Sequence, residues 1–203
     1  MKTSHARFDR DYYNRFYYEP RTAVISAHEM TARARLISAY VEHLGLPVRR
    51  ILDAGCGIGL LRRPLTKLLP RASYIGLEAS AYLCKRYGWQ QGLLQSYRAA
   101  VPFDLAICYD VLQYLDDSAA RRALANLGRL CRGVLYFTAL TAEDWRFNCD
   151  RKRTDSNVHL RPAEWYRSRL HRSFREAGAG FWLRRNAPLT VWELEAAPRH
   201  IDC

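Results

Sequence analysis

The residues whose types and spacing could do chemistry stand close together. Asp53, Gly55, Gly57 and Gly59 fall in the run ILDAGCGIGLL, and Glu78 ends the run SYIGLE. Glycine serves where the backbone takes a positive φ or must approach a ligand with no Cβ in the way. A carboxylate beside such a turn repels a pyrophosphate, so Asp53 argues against the dinucleotide fingerprint. It suits a ligand whose nearby group is cationic, such as an α-ammonium. Glu78 lies 25 residues beyond Asp53, where an acidic side chain can accept from both hydroxyls of a ribose. Ammonium and ribose recognition together describe S-adenosylmethionine (SAM) better than NAD. Each acid also has a plainer use: Asp53 in bonding turn amides, and Glu78 in capping the next helix.

These residues need elements to hold them, and hydrophobic periodicity supplies a map. Ser26 to Leu46 repeats apolar residues at three and four (Ala27, Met30, Ala34, Ile37, Val41), with Gly45 and Pro47 as stop signals. VRRILDAG reads as a buried strand, and IGLLRRPLTKLLP as a helix that tolerates Pro64 only in its first turn. SYIGLEAS, a weak GLLQSY, FDLAICY and GVLYFTAL read as further strands, and SAYLCKRYG, Asp117 to Cys131 and Pro162 to Ala177 as helices. FWLRRN and LTVWELEA, joined by Ala187-Pro188, read as a terminal hairpin. Strands alternating with helices predict an α/β fold, doubly wound around a mostly parallel sheet. The glycine turn then sits at the carboxyl end of the sheet, where such folds bind ligands. Residues 139–161 form a long loop, of the kind used as a lid or binding segment. No linker divides the chain, so residues 1–203 read as one domain, with 1–25 as an aromatic and basic lid.

ILDAGCGIG resembles motif I of the class I SAM-dependent methyltransferases, and YIGLEAS resembles their second-strand motif. FDLAICYDVLQYLDD is similar to their fourth strand and the segment after it. The likeness covers about residues 45–140 and points to the small-molecule branch. It implies a Rossmann-like sheet of seven strands whose last is antiparallel, with SAM as cofactor and S-adenosylhomocysteine (SAH) as product. Asp53 and the backbone around Gly55, Cys56, Gly57 and Gly59 would hold the methionine moiety. Glu78 would bind the ribose, with Ala79 near the adenine and Gln95-Ser96-Tyr97 beside its amino group. Many members carry aspartate where this chain has Ser96. Tyr109 would face the sulfonium, with Asp110 just beyond. Tyr109 as a core aromatic and Asp110 as a helix cap are the alternatives.

Such an enzyme aligns a nucleophile with the activated methyl and needs a base only if the nucleophile arrives protonated. His159, in DSNVHLRP, is the candidate base, with a structural loop histidine as the alternative; His28 is a lesser one. Tyr12, Tyr13, Phe16 and Tyr17, in FDRDYYNRFYYEP, could cover the pocket and offer a cation–π face to a sulfonium, or simply pack on the sheet. Arg161 could pair an anionic substrate group or be a surface charge.

Net charge is +12, carried by 32 basic residues of which 28 are arginine. They are scattered, with one dense cluster at Arg151-Lys152-Arg153, so nucleic acid is a less favoured partner than a small and conceivably anionic acceptor. The (N/D)PP(Y/F) of nucleobase amino methyltransferases, the Pro-Cys of cytosine C5 enzymes and a paired-glutamate loop are absent. The expected reaction is methyl transfer to an O or N atom of a small molecule. An RNA-modifying enzyme and a non-catalytic SAM-binding scaffold are the alternatives. The cysteines show no CxxC or zinc spacing, so no metal is expected and a reduced compartment is. With no secretory signal behind the charged N-terminus and no apolar run of about 18 residues, the expected location is the cytoplasm, away from the membrane. Oligomeric state is left open.

Overall fold

A computed structural model describes residues 7–195; Cys203 lies outside the described residues. Two short helical pieces open it, α1 (Arg10–Tyr13) and a π-helical turn at Asn14–Tyr18. The first long helix, α2 (Ala27–His43), starts at a capping box in which Ser26 and Glu29 satisfy each other's backbone amides, and ends near Gly45 at φ +62°. Then come β1 (Arg50–Ala54), α3 (Arg62–Leu68), β2 (Ser73–Glu78), α4 (Ala81–Tyr87), β3 (Gln90–Gln91) and β4 (Phe103–Tyr109). Pro64 sits in the first turn of α3, where its missing N–H has no intrahelical partner to lose. The rest is α5 (Asp117–Leu130), β5 (Cys131–Thr138), α6 (Ala142–Phe147), α7 (Ala163–Leu170), β6 (Phe174–Glu176) and β7 (Phe181–Arg184).

The seven strands form one sheet in the order β3-β2-β1-β4-β5-β7-β6, parallel except for β7, which runs antiparallel to both its neighbours. Strand alternation divides the core. On one face Ile51, Leu105, Ile107 and Val134 meet Met30, Ala34, Ile37 and Val41 of α2. On the other, Leu52, Ala106 and Leu135 meet Ala123, Leu124 and Leu127 of α5 and Tyr166 and Leu170 of α7. Strand order reverses between β1 and β4, and this switch point leaves a crevice at the strands' carboxyl ends.

Four expected features differ. The third strand is Gln90–Gln91, not GLLQSY: Asn126 Nδ2 donates to the Leu94 and Tyr97 carbonyls at 2.7 and 2.9 Å, holding that segment as a loop against α5. The hairpin pairs β6 with β7, not FWLRRN with LTVWELEA, and turns through Gly178-Ala179-Gly180, all three at positive φ. The helix expected to reach Ala177 therefore ends at Leu170. The long loop is also shorter than expected, because Thr141 and Asp144 form a capping box that starts α6 inside it.

Candidate active site

Two cavities meet at the switch point, one of about 600 Å³ and one of about 100 Å³. Gly55, Gly57, Tyr17, Tyr109, Asp110 and Tyr114 line both. Gly55 and Gly57 turn the chain at φ +77° and +54°; a Cβ on Gly57 would enter open space, whereas one on Gly55 would collide with Val111. Gly59, also at φ +77°, has another reason to be glycine, since a Cβ there would strike the Trp89 ring. Trp89 in turn donates from Nε1 to the Gly57 carbonyl at 2.9 Å, which pins the turn from behind.

Asp53, next to last in β1, stands at 3% exposure on the wall of the larger cavity, and the Tyr74 hydroxyl donates to its Oδ2. Burial pushes its carboxyl up to about 7; the Tyr74 hydrogen bond opposes this and the Glu78 charge adds to it. A cation arriving here would restore its charge. Glu78, at the end of β2 and on the wall of the smaller cavity, accepts from the amides of Gly57, Ala79 and Ser80, each at 2.9 Å. Glu78 does not cap α4, whose N-cap is Ser80, with its hydroxyl accepting from the Leu83 amide at 3.3 Å; the Glu78 carboxylate holds turn amides on the wall of the smaller cavity instead. Leu77, Ala79 and Leu94 continue the same wall as an apolar surface, with the Gln95 carboxamide beside them. Cys56 lines the larger cavity, its thiol pushed up by burial.

The N-terminal segment covers the smaller cavity. Phe8, Tyr12, Tyr13 and Tyr17 line it, and Tyr13 is only 4% exposed. Tyr12 donates to the Tyr114 hydroxyl at 3.1 Å, Ser80 donates to the Phe8 carbonyl at 2.6 Å, and Arg7 pairs with Asp155 at 2.6 Å. Phe16 packs on Tyr12, with ring centroids 4.9 Å apart. Burial raises the phenols of Tyr12, Tyr13, Tyr17, Tyr109 and Tyr114, so they stay neutral.

Other expected site residues lie elsewhere. His159 is exposed and lines neither cavity; its backbone amide donates to the Gln113 carbonyl at 2.7 Å. His28 is exposed on the first turn of α2. Ser96 is exposed and turned back toward the Leu93 carbonyl. Arg161 is neither a surface charge nor a cavity group. At 4% exposure it donates to Asp117 at 2.8 Å and to the carbonyls of Leu112 and Leu115 at 3.0 and 2.6 Å, locking the chain after β4. Tyr109 is no plain core aromatic, since it lines both cavities with the Arg33 guanidinium 4.2 Å from its ring centroid. Asp110 caps no helix: the short 3₁₀ turn Leu112–Tyr114 is preceded by Val111.

Sequence reading missed Arg33, which projects from mid-helix and donates to the Tyr136 hydroxyl at 3.1 Å, Tyr74, the partner of Asp53, and Gln113 on the larger cavity's wall. The α2 periodicity names the apolar positions of that helix and leaves Arg33 without a role. No local signal marks the other two.

Residues 52–133 match the family model described as a methyltransferase domain, a span short of half the chain. The magnesium protoporphyrin IX methyltransferase of Synechocystis PCC 6803, crystallised with SAH, superposes with a TM-score of 0.67 at 16% identity, covering 89% of this chain and 97% of that one. The fold is that of the class I SAM-dependent methyltransferases. Among curated proteins, the malonyl-[acyl-carrier protein] O-methyltransferase of Legionella pneumophila is 28% identical over 52% of this chain and 41% of its own length. A ubiquinone biosynthesis O-methyltransferase of Methylocella silvestris is 35% identical over 34% and 31%. The chain thus spans less than half the length of the curated relatives it matches. Among the described residues, no helix is long and apolar enough to cross a membrane, and no group of three or more His, Cys, Asp or Glu could hold a metal ion.

Proposed function

We propose that the chain binds SAM across the two cavities and transfers its methyl group to an O or N atom of a small molecule held in the larger one. The observation that carries this reading is the pairing of a buried carboxylate, Asp53, with a second one, Glu78, on either side of the Gly55–Gly57 turn, with an apolar slot between them. That donor set fits a ligand with an ammonium at one end, a ribose diol in the middle and a flat ring beyond.

SAM supplies an activated methyl, so the hard chemistry belongs to the cofactor. The chain's own residues do the rest. Asp53 holds the ammonium, Glu78 accepts from the ribose hydroxyls, and Ala79, Leu94 and Gln95 flank the adenine. Gly55 and Gly57 let the backbone come close. Tyr13 and Tyr17 close the site from above and exclude water, and Tyr109, with Tyr17, presents an aromatic face to the sulfonium. Both relatives named above are O-methyltransferases matched over less than half of their length, which supports methyl transfer more firmly than the choice of acceptor atom.

The test is calorimetric titration of the protein with SAM, SAH and NAD, followed by transfer of radiolabelled methyl to candidate acceptors. Binding of SAM and SAH but not NAD is the expected result. Failure of both to bind, with the protein folded, overturns the proposal; binding without transfer to any acceptor leaves only the scaffold reading.

A further inference from the structure

The chain carries a net charge of +12, yet the larger cavity has the opposite character. Among the described residues its wall bears the carboxyl groups of Asp53, Asp110, Asp144 and Asp155 and a single cationic side chain, Arg33. Most of these groups are engaged. Asp53 holds the Tyr74 hydroxyl, Asp155 pairs with Arg7, and Asp144 caps α6 and accepts from Asn148. Arg33 is occupied by the Tyr136 hydroxyl and the Tyr109 ring.

Asp110 is set apart by its place and its backbone. It stands where the two cavities join, directly after β4, and is held at φ +54°, in the left-handed region a non-glycine residue rarely adopts. Strain of this kind persists only when surroundings over-determine it, and it concentrates at functional positions. Here the Asp110 amide donates to the Thr138 carbonyl at 3.1 Å, and the Thr138 hydroxyl donates to Oδ1 at 3.3 Å. Around Asp110 stand Arg33 from α2, Tyr17 and Tyr114 as neutral phenols, the Tyr109 phenol within reach of the carboxylate, and Asp144 from α6. A second observation is independent of the acids. Gln113 lines the same cavity at 4% exposure, and its Oε1 has no hydrogen-bond partner among the described residues. An orphaned buried amide oxygen is costly, and a ligand N–H or O–H group would relieve it.

Resting on the function proposed above, we infer that the methyl acceptor is a small amine, with Asp110 receiving the proton from its nitrogen and the Gln113 amide accepting a second N–H. An ammonium entering the cavity gives one proton to the Asp110 carboxylate. The freed nitrogen lone pair then forms the N–C bond to the methyl as the C–S bond breaks, its electron pair remaining on sulfur. The proton on Asp110 leaves to solvent. The same carboxylates repel phosphodiesters and carboxylic acids, which places the chain's basic surface outside the acceptor's recognition.

The test uses protein saturated with SAH and three matched probe pairs: tyramine and 4-hydroxyphenylacetate, histamine and imidazole-4-acetate, glucosamine and glucose. Binding is read by calorimetry and ligand-observed NMR. Each amine is expected to bind at least about ten-fold tighter than its counterpart, the range a charge-assisted hydrogen bond supplies. Asp110→Asn should erase that preference while still binding SAH; asparagine tolerates the left-handed backbone, so the variant should fold. Carboxylates preferred, no preference, no amine bound, or a preference that survives Asp110→Asn would each overturn the inference. If the wild-type protein does not bind SAH at all, the failure belongs to the cofactor assignment instead.

Discussion

Below pH 7, binding of SAH is expected to expel a proton. The buried Asp53 carboxyl has its midpoint near 7 in the free protein, raised chiefly by loss of solvation. A ligand ammonium placed against it would hold it ionised, so the protein must lose whatever proton it carried. For a midpoint of 7 that is about 0.9 proton per binding event at pH 6, about half at pH 7 and about 0.1 at pH 8. Affinity should fall about ten-fold per pH unit below the midpoint and level off above it. The assay is titration calorimetry in buffers of differing ionisation enthalpy, where the slope of apparent heat against buffer heat counts protons. Asp53→Asn should bind more weakly and release none. The linkage also fixes a sign for stability. Because the folded midpoint lies above the unfolded 3.8, the contribution of Asp53 is full below about pH 4 and is lost as pH rises through 7. The difference approaches about 4 kcal/mol at 1.36 kcal/mol per unit. Ligand-free Asp53→Asn should therefore gain on the wild type between pH 5 and 8 in urea unfolding. Heats independent of buffer at pH 6, with binding intact, would refute the reasoning.

Three further outcomes are expected from particular contacts. Gly59→Ala, forced into a left-handed backbone against the Trp89 ring, should lose about 1–3 kcal/mol of stability in denaturant titration. Arg161→Met orphans the carbonyls of Leu112 and Leu115 and should lose roughly 2–4 kcal/mol in denaturant titration. His159→Ala, altering an exposed residue outside both cavities, should leave kcat within about two-fold of wild type, since it offers none of the 10²-fold or greater contribution of a positioned base; a larger drop would return His159 to the chemistry.

Asp53, the glycine turn and Glu78 were legible because the signal is local: a strand, a turn and a strand tip each declare themselves within a few residues. Their surroundings were not, because partners meet only in three dimensions. Tyr74 reaches Asp53 from the neighbouring strand, Arg33 arrives from a helix whose apolar repeat does not include it, and Gln113 carries no motif. Periodicity misplaced the hairpin because β6 has three residues and follows closely on a helix, while the apolar run after Pro188 looks like a strand but joins no sheet among the described residues. The Gly178-Ala179-Gly180 turn was the available clue. Arg161 shows the commonest error in reading charge from sequence: an arginine in a polar loop became an almost fully buried clamp. The capping box Thr141-x-x-Asp144 was readable and would have shortened the long loop.

The most direct measurement is a crystal structure of the SAH complex. The expected result has the amino group of SAH against Asp53, the ribose hydroxyls on Glu78, the adenine between Ala79 and Leu94, and the sulfur facing the junction where Tyr109 and Asp110 stand. SAH bound elsewhere, or bound with Asp53 and Glu78 both out of contact, would contradict it.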